Sequence, residues 1–251
     1  GSLGLTFNNF SSKNILKGEK WRPLPSGDGQ RLSLRASSNG AYYQNYNMAF
    51  TEPWLGGKKP TSLQVSLYRS ISSNGLTSEE RQEIQVSGLS LGIGKRLKNP
   101  DDYFTLYNGL NYVQYKLNNS QSFFSFRNGE SNNVNYNINI GRNSVDQINF
   151  PRQGSNFLLS LKVSPPYSIF DDTDDYSTLT DQEKYEWVEY YKWKFKATWF
   201  SPFTDKLVLA TRTEFGFLGA YNEQLGISPF ERFYVGGDGL SGMGYMNDGR
   251  E

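Results

Sequence analysis

The chain has 251 residues with 26 basic and 25 acidic side chains, and its net charge of +1 gives no electrostatic reason to expect nucleic acid as a partner. It contains no cysteine and no histidine, which excludes disulfide scaffolds, thiolate chemistry and histidine-based catalysis, so we expect no catalytic centre, no metal site and no cofactor. Aromatic residues make up 16%, yet mean hydropathy is −0.64 and no segment approaches the roughly 20 apolar residues of a membrane helix.

The first half of the chain predicts short strands joined by turns. Alternating apolar and polar side chains predict strands at residues 3–8, 31–36, 42–51, 63–68, 84–93 and 103–117. A turn-rich stretch, residues 11–29, separates the first two, and Asn39-Gly40 predicts a hairpin turn. Pro53 ends a strand because proline cannot donate to the ladder. The apolar phase shifts across Gly88, which predicts a bulge there.

The second half alternates more regularly. One face carries polar side chains: Asn133, Asn135, Asn137, Asn139, Lys192, Lys194 and Lys196. The other face carries apolar ones: Val134, Tyr136, Ile138, Ile140, Phe157, Leu159, Leu161, Trp193, Phe195 and Trp199. A last strand, residues 206–218, adds Arg212 and Glu214 to the polar face, after a tight turn predicted at residues 202–205. The acid-rich segment 168–191 allows a short helix in its second half.

These faces indicate a membrane protein. A regular asparagine and lysine face suits a water-filled lumen, and an aromatic–aliphatic face suits lipid. The predicted fold is therefore all-β: an antiparallel transmembrane β-barrel of which about ten strands are present, with the polar set lumen-facing and the apolar set lipid-facing. One sheet of a soluble sandwich is the alternative. The absence of a helix pattern of about ten residues or more excludes βαβ folds.

Several motifs favour ordinary loops over ligand sites. Residues 237–242 fit G-x-G-x-x-G, but no helix pattern follows, so a glycine-dense loop is the better interpretation. The acidic run 171–175 lacks EF-hand spacing, and residues 56–59 lack the remaining positions of a P-loop. The lysines at 192–196 could favour anions in a pore, although pairing with lumen carboxylates such as Glu214 is the more ordinary interpretation.

The segment after the last strand carries a more specific signature. It spells P-F-x-x-F-Y-x-G-G with Pro229, Phe230, Phe233, Tyr234, Gly236 and Gly237. This resembles a loop of the BamA family, the surface-antigen barrels that assemble outer-membrane proteins. Phe150-Pro151-x-x-Gly154 resembles the family's F-P-x-x-G turn, and Thr51-x-Pro53-Trp54 resembles its T-x-P-aromatic strand end. The stretches FTEPWLGGKKP and FERFYVGGDGLSG resemble the Bacteroidota branch.

The resemblance implies a partial barrel. The chain would supply about the second to the eleventh of roughly sixteen strands, residues 3–218, followed by a lumen-directed loop, residues 219–251. Phe230, Phe233 and Tyr234 would anchor that loop, and Gly236 and Gly237 would let it lie close to the wall. The turns at 99–102, 150–154 and 201–205 would be periplasmic. The POTRA domains and gate strands are not among these residues, nor is the family's R-G-F/Y motif, so we interpret the chain as a fragment.

The resemblance also implies a function. It predicts a non-enzymatic insertase, integral to the outer membrane of a Gram-negative cell, that templates client strands by β-augmentation. Its partners would be outer-membrane lipids, unfolded β-barrel clients and accessory assembly lipoproteins. Alternatives are a polypeptide-translocating pore of the same superfamily, a plain porin or adhesive surface barrel, and a soluble β-sandwich module.

Overall fold

A computed structural model of the chain describes residues 1–57, 61–76, 79–120, 126–171, 175–235 and 246–247, the last two and residues 234–235 by their backbone only. Ten antiparallel strands form one sheet, and each strand pairs with its neighbours in sequence. They are β1 Ser2–Phe10, β2 Gln30–Asn39, β3 Tyr43–Glu52, β4 Thr61–Ser73, β5 Glu83–Arg96, β6 Phe104–Asn118, β7 Gly129–Asn143, β8 Gly154–Val163, β9 Tyr191–Thr204 and β10 Leu207–Gly219. A separate pair joins β11 (Tyr234–Val235) to β12 (Met246–Asn247). The predicted all-β architecture of ten antiparallel strands is confirmed.

Helices contribute little to the described residues. The α-helix α1, Asp181–Lys184, lies in the second half of the acid-rich segment, where the sequence allowed one. It begins with a capping box, in which the Thr180 side chain accepts from the backbone of Glu183 and the Glu183 carboxylate accepts from the backbone of Thr180. None of the helices in the described ranges has the length and apolar character needed to cross a membrane.

The meander sends successive connections to opposite ends of the sheet. The connections that follow β2, β4, β6, β8 and β10 leave the sheet at one end, which we term the loop end. The connections that follow β1, β3, β5, β7 and β9 leave it at the other, which we term the turn end. The three turns expected to be periplasmic therefore share one end, and the long acid-rich segment lies at the other.

The two faces of the sheet differ in chemistry, as the alternation requires. Cross-strand pairing places Ile138, Leu161 and Trp193 in one row, which we assign to the outer face. The next row, Asn137 with its partners on β8 and β9, belongs to the inner face. The predicted lipid-facing set lies together on the outer face, where Trp193 and Tyr136 remain 40% and 42% exposed. A contiguous exposed apolar surface of this kind needs an apolar environment.

The predicted bulge at Gly88 is wrong. β5 pairs with β4 and β6 without a register shift, and Gly88 lies buried on the inner face beneath the ring of Tyr68. The apolar phase shifts for another reason: Ile84 and Val86 face inward near the loop end, opposite Leu117 and Tyr115. An apolar cluster on the inner face, rather than an extra residue in the strand, accounts for the pattern.

The predicted turn at residues 202–205 is also wrong. β9 continues to Thr204, and residues 205–206 join it to β10. Pairing between β8 and β9 stops at Phe200, so the rest of β9 has a neighbour on one side only. Such a half-paired strand end tolerates Pro202, which lacks the N–H of a ladder bond.

The returning chain covers the part of β7 that β8 leaves unpaired. β8 reaches only as far as Tyr136, whereas β7 continues toward the loop end. There the Asn132 N–H donates to the carbonyl of Glu186 at 2.7 Å, and the Val188 N–H donates to the carbonyl of Asn132 at 2.8 Å. The exposed edge is therefore satisfied by backbone hydrogen bonds within the same chain.

The F-P-x-x-G segment forms a tight turn between β7 and β8. Phe150 has φ 54°, and the Asp146 carboxylate accepts from three backbone N–H groups of the turn. Desolvation is the largest single influence and opposes ionisation, but the backbone donors together lower the pKa of Asp146 overall. Gly154 has φ 108°, and any Cβ there would collide with the backbone carbonyl of Ser144. The glycine is required by the backbone itself.

Replacing Gly154 with alanine should destabilise the folded protein by about 1–3 kcal/mol, because alanine is strained at this φ and its Cβ meets backbone that cannot rotate away. Guanidinium unfolding of the full-length protein in detergent, followed by tryptophan fluorescence, measures the loss. Gly18→Ala is the matched control, since no heavy atom lies within 4 Å of a Cβ at that position. Equal stability of the two variants would contradict this account of the turn.

Candidate functional site

A segment of the chain after β10 lies against the inner face of the sheet. We term residues 228–233 the docking segment. Ser228 and Glu231 are 1% and 8% exposed, and Pro229 is also buried. The segment includes the first part of the P-F-x-x-F-Y-x-G-G signature and contacts β6, β7, β8, β9 and β10 through the side chains described below. It is the candidate functional site because it joins the signature to the wall.

The carboxylate of Glu231 is the centre of this contact. Its Oε1 accepts from Lys162 Nζ at 2.7 Å, from Asn133 Nδ2 at 3.0 Å and from the Tyr190 hydroxyl at 3.0 Å. Lys192 Nζ lies 3.6 Å from Oε2 and donates to the backbone carbonyl of Glu231 at 2.6 Å. A buried carboxylate is costly unless it is paired and hydrogen-bonded, and here four side chains supply both.

Tyr190, which precedes β9, stays a hydrogen-bond donor to this carboxylate. Burial raises the pKa of its phenol well above the ordinary value, and the negative charge of Glu231 raises the pKa further. The phenol is therefore protonated at neutral pH and can donate to Glu231. Its backbone is fixed as well, because the Tyr190 N–H donates to Ser164 Oγ at 2.6 Å.

Phe233 is held between two lysines and a glycine. Its ring centroid lies 4.3 Å from Lys192 Nζ and 5.7 Å from Lys194 Nζ, within the range of cation–π attraction. On the wall opposite is Gly216, where a Cβ would lie 2.7 Å from Phe233 Cζ. Gly216 thus provides the space that the ring occupies.

Phe230 packs into the apolar cluster at the loop end of the inner face. Its ring stacks on Tyr115 with centroids 4.5 Å apart and meets Phe126 edge-on at 6.0 Å. Leu117, which completes the cluster on β6, is 3% exposed. Phe230 and Phe233 therefore anchor the docking segment on either side of Glu231.

The asparagine ladder of β7 is on the inner face, but its first two members are not wet. Asn133 and Asn135 are 0% and 1% exposed, whereas Asn137 and Asn139 are partly exposed. Asn135 Nδ2 donates to Asn133 Oδ1 at 3.1 Å, and Asn111 Nδ2 donates to both Asn135 and Asn137. The expectation of a water-filled lumen does not hold for Asn133 and Asn135: Glu231 and Tyr190 contact Asn133, and Asn135 is bonded to Asn133 and Asn111.

The remaining predicted polar residues form a second cluster on β9 and β10. Lys194, Lys196 and Arg212 all contact the carboxylate of Glu214, at 2.5, 3.2 and 3.4 Å. Each of these side chains is 34–59% exposed. Three cations thus share one carboxylate, which leaves this part of the inner face positively charged.

Two tyrosines of the acid-rich segment, Tyr176 and Tyr185, are hydrogen-bonded to the chain just before the docking segment. The Tyr185 hydroxyl donates to the Leu225 carbonyl at 2.9 Å, and the Tyr176 N–H donates to Gln224 Oε1 at 3.1 Å. Burial raises the pKa of Tyr185, and nearby Asp181 adds to that shift. The chain between β8 and β9 and the chain after β10 are therefore hydrogen-bonded to each other at the loop end, next to the docking segment.

The structure extends the predicted site and leaves part of it undescribed. Glu231 occupies an unspecified position of the signature, and sequence reasoning missed it, as it missed Lys162 and Tyr190. The signal available was a lone acid between two aromatics, opposite an inner face rich in lysine. The side chain of Tyr234, together with Gly236, Gly237 and the G-x-G-x-x-G at 237–242, lies outside the described residues, as do residues 58–59 and 172–174 of the other motifs. Within the described ranges, no three acidic side chains are grouped as a metal would require.

Comparison with known proteins connects this geometry to a family. An Omp85 superfamily domain matches residues 26–249. Among solved structures, the chain is similar to BamA from Haemophilus ducreyi lacking POTRA domains 1–3, with 19% identity, a TM-score of 0.66, and coverage of 95% of this chain and 41% of that chain. It is also similar to CdiB from Escherichia coli, with 16% identity, a TM-score of 0.50, and coverage of 95% and 40%. Comparison with curated proteins gives no match.

These likenesses bear on fold and location. At such identities the two structures show the fold alone, and the chain spans about two-fifths of the length of each. The family match indicates an outer-membrane β-barrel, and both structures share that fold.

Replacing Glu231 with alanine should release the docking segment, because Lys162 and Lys192 would remain partly buried without a counter-charge. Loss of one partner of a buried ion pair costs about 3 kcal/mol or more, which raises the undocked population roughly a hundredfold. Trypsin cleavage after Arg232 in the full-length protein reports that population.

The control is Glu223→Ala, which removes an exposed carboxylate from the same connection. Glu231→Gln should fall between the two, since it retains hydrogen bonds but no charge. Folding of the barrel is checked by the change in gel mobility that heating produces. If folded Glu231→Ala protein is cleaved no faster than the control, Glu231 does not hold the segment.

Proposed function

Because this chain belongs to the Omp85 superfamily, we propose that it is the barrel part of a non-enzymatic insertase that folds β-barrel proteins into the outer membrane. The observation that supports the proposal best is the docking segment, fixed to the lumen wall through Glu231. A loop fixed to the lumen wall by a buried charge leaves the wall, rather than an open pore, as the working element, which suits an insertase better than a diffusion porin or an adhesive barrel.

The proposed mechanism uses the backbone of the wall. A client strand adds to a weakly paired strand edge by β-augmentation, and its N–H and C=O groups exchange water for ladder hydrogen bonds. Client folding supplies the free energy, so no nucleotide is needed. In this scheme β1–β10 are the rigid wall beside the gate, and the gate strands belong to the rest of the protein.

The docking segment would set the shape of that wall. Phe230 contacts β6, Glu231 contacts β7, β8 and β9, and Phe233 lies against β10. A single short segment thus connects five consecutive strands on the lumen side. We propose that it restrains the curvature of the barrel, so that bending is concentrated at the gate.

The setting follows from the same proposal. The turn end would face the periplasm and the loop end the exterior of a Gram-negative cell, with a source in the Bacteroidota. Unfolded β-barrel proteins would be the clients, and accessory assembly lipoproteins would act from the periplasmic side. Nucleic acid would not be a partner.

A polypeptide-translocating pore of the same superfamily is the second candidate. The observation in its favour is the cation-rich inner face, where Lys194, Lys196 and Arg212 share Glu214 and stay partly exposed. A polar chain in transit through the lumen would contact these side chains. In that case the docking segment would act as a plug that must move aside.

Depletion of the full-length protein separates the two candidates. An insertase should reduce many outer-membrane β-barrel proteins together, which quantitative proteomics of the outer-membrane fraction measures. Loss of one secreted protein, with the other barrels unchanged, would favour the translocation pore and overturn the insertase proposal.

In proteoliposomes, the full-length protein should speed the folding of a urea-denatured eight-stranded client, read as its heat-modifiable fraction. Glu231→Ala should slow client folding about tenfold, equivalent to about 1.4 kcal/mol, because the wall loses its lumen restraint. Glu223→Ala should fold the client at the wild-type rate. If Glu231→Ala folds the client as fast as Glu223→Ala does, while trypsin cleavage shows that the segment is undocked, docking is unrelated to insertion.

A further inference from the structure

The outer face carries a groove that crosses six strands near the loop end. Its volume is about 600 Å³, within the range of small-ligand sites. One wall is an apolar row of mutually paired residues, one from each of β1 to β6: Leu5, Leu34, Met48, Leu67, Leu89 and Tyr112. Six neighbouring strands span about 24 Å, so the groove is long enough for an acyl chain, which occupies about 15 Å of a leaflet.

The other wall is the next row toward the loop end, and it changes from apolar to polar along its length. Leu3 and Ala36 lie at the β1 side, whereas Arg69, Ser87 and Gln114 lie at the β4–β6 side. The small side chains of Ala36 and Ser87 help to keep the groove open. The groove is therefore apolar along the row from Leu5 to Tyr112 and polar where the second row crosses β4 to β6.

Arg69 supplies the positive charge of this polar part of the groove. It is exposed, and its guanidinium donates to Gln85 Oε1 at 2.9 Å. Within the described residues no carboxylate lies within 4.0 Å of it. Glu83 is close enough to interact with the Arg69 charge at longer range, but its carboxylate is bonded to Arg81. A guanidinium has five N–H donors in a fork that matches phosphate oxygens, so Arg69 has donors to spare for a ligand.

The position of Arg69 agrees with a headgroup. Toward the turn end, the outer face of β4 carries Leu67, Val65 and Leu63. Toward the loop end, the neighbouring row holds Ile71 on β4 itself, between Gln44 and Gln85, and then the ion pair Lys116–Glu130. Arg69 thus lies where a continuous apolar band gives way to a mostly polar row. In a membrane this is the level at which acyl chains meet headgroups, and arginine reaches toward it readily.

We propose that this groove is a binding site for a phosphate-bearing lipid, with an acyl chain along the apolar row and the phosphate on Arg69. The site uses the outer face, so it goes beyond the proposed insertase function and does not depend on the docking segment. Its occupant is a lipid rather than a peptide, because the groove faces the bilayer and the Arg69 guanidinium, with N–H donors left over, lies at the headgroup level.

The test uses the full-length protein in a neutral detergent, with native mass spectrometry to count bound lipid. The probes are phosphatidic acid, diacylglycerol with the same chains, and inorganic phosphate. Phosphatidic acid should bind saturably, one molecule per protein, and Arg69→Gln should weaken it about tenfold. Diacylglycerol should bind the wild type as weakly as phosphatidic acid binds the variant, and inorganic phosphate should not compete.

Two further variants test each half of the site. Ser87→Leu fills the groove and should weaken phosphatidic acid to a similar extent while Arg69 stays in place. Lys95→Gln, which removes a cation from the outer face of β5 at its turn end, should leave binding unchanged. Unsaturable binding, equal affinity of the Arg69→Gln variant, or equal loss with Lys95→Gln would overturn the proposal. Heat-modifiable mobility confirms that each variant is folded.

Discussion

A backbone N–H or C=O group in hydrocarbon has no water to bind, and this constraint explains the arrangement of the whole sheet. It accounts for ten strands that pair only with their sequence neighbours and for a register that stays unbroken through Gly88. Near the loop end, the chain at 186–188 returns to pair with β7 where β8 is too short, which occupies a strand edge that would otherwise be free to pair with another chain. Proline appears in β9 only where one neighbour is already missing.

A second constraint, the cost of burying a charge, explains the arrangement on the lumen side. Burying Glu231 beneath a loop is costly unless its charge is matched, and the wall supplies two lysines, an amide and a phenol around that carboxylate. The asparagines of β7 extend this network sideways by amide hydrogen bonds. Polar alternation along the strand therefore does more than wet a channel: it binds one segment of the chain in a defined position.

Particular residues show how far sequence reasoning reached. The alternation at 133–140 and 192–199 was enough to predict strands, their two faces and an all-β fold, because side-chain direction repeats every two residues. The same rule misread residues 84–93, where apolar side chains face inward to join Tyr115 and Leu117. It also placed a turn at Pro202, because proline ends most strands, whereas a strand with one free side accommodates it.

The sequence by itself determined the local periodicity and the two faces of each strand, since side-chain direction depends on neighbouring residues along the strand. The aromatic anchors Phe230 and Phe233 were expected only from the resemblance of their segment to a family motif. Only the tertiary structure decided that Glu231 meets Lys162, 69 residues away, and that Arg69 lies beside an apolar groove with no carboxylate bonded to it. Such contacts join residues from different strands, and their distances depend on the register and curvature of the sheet. A linear sequence specifies neither quantity residue by residue.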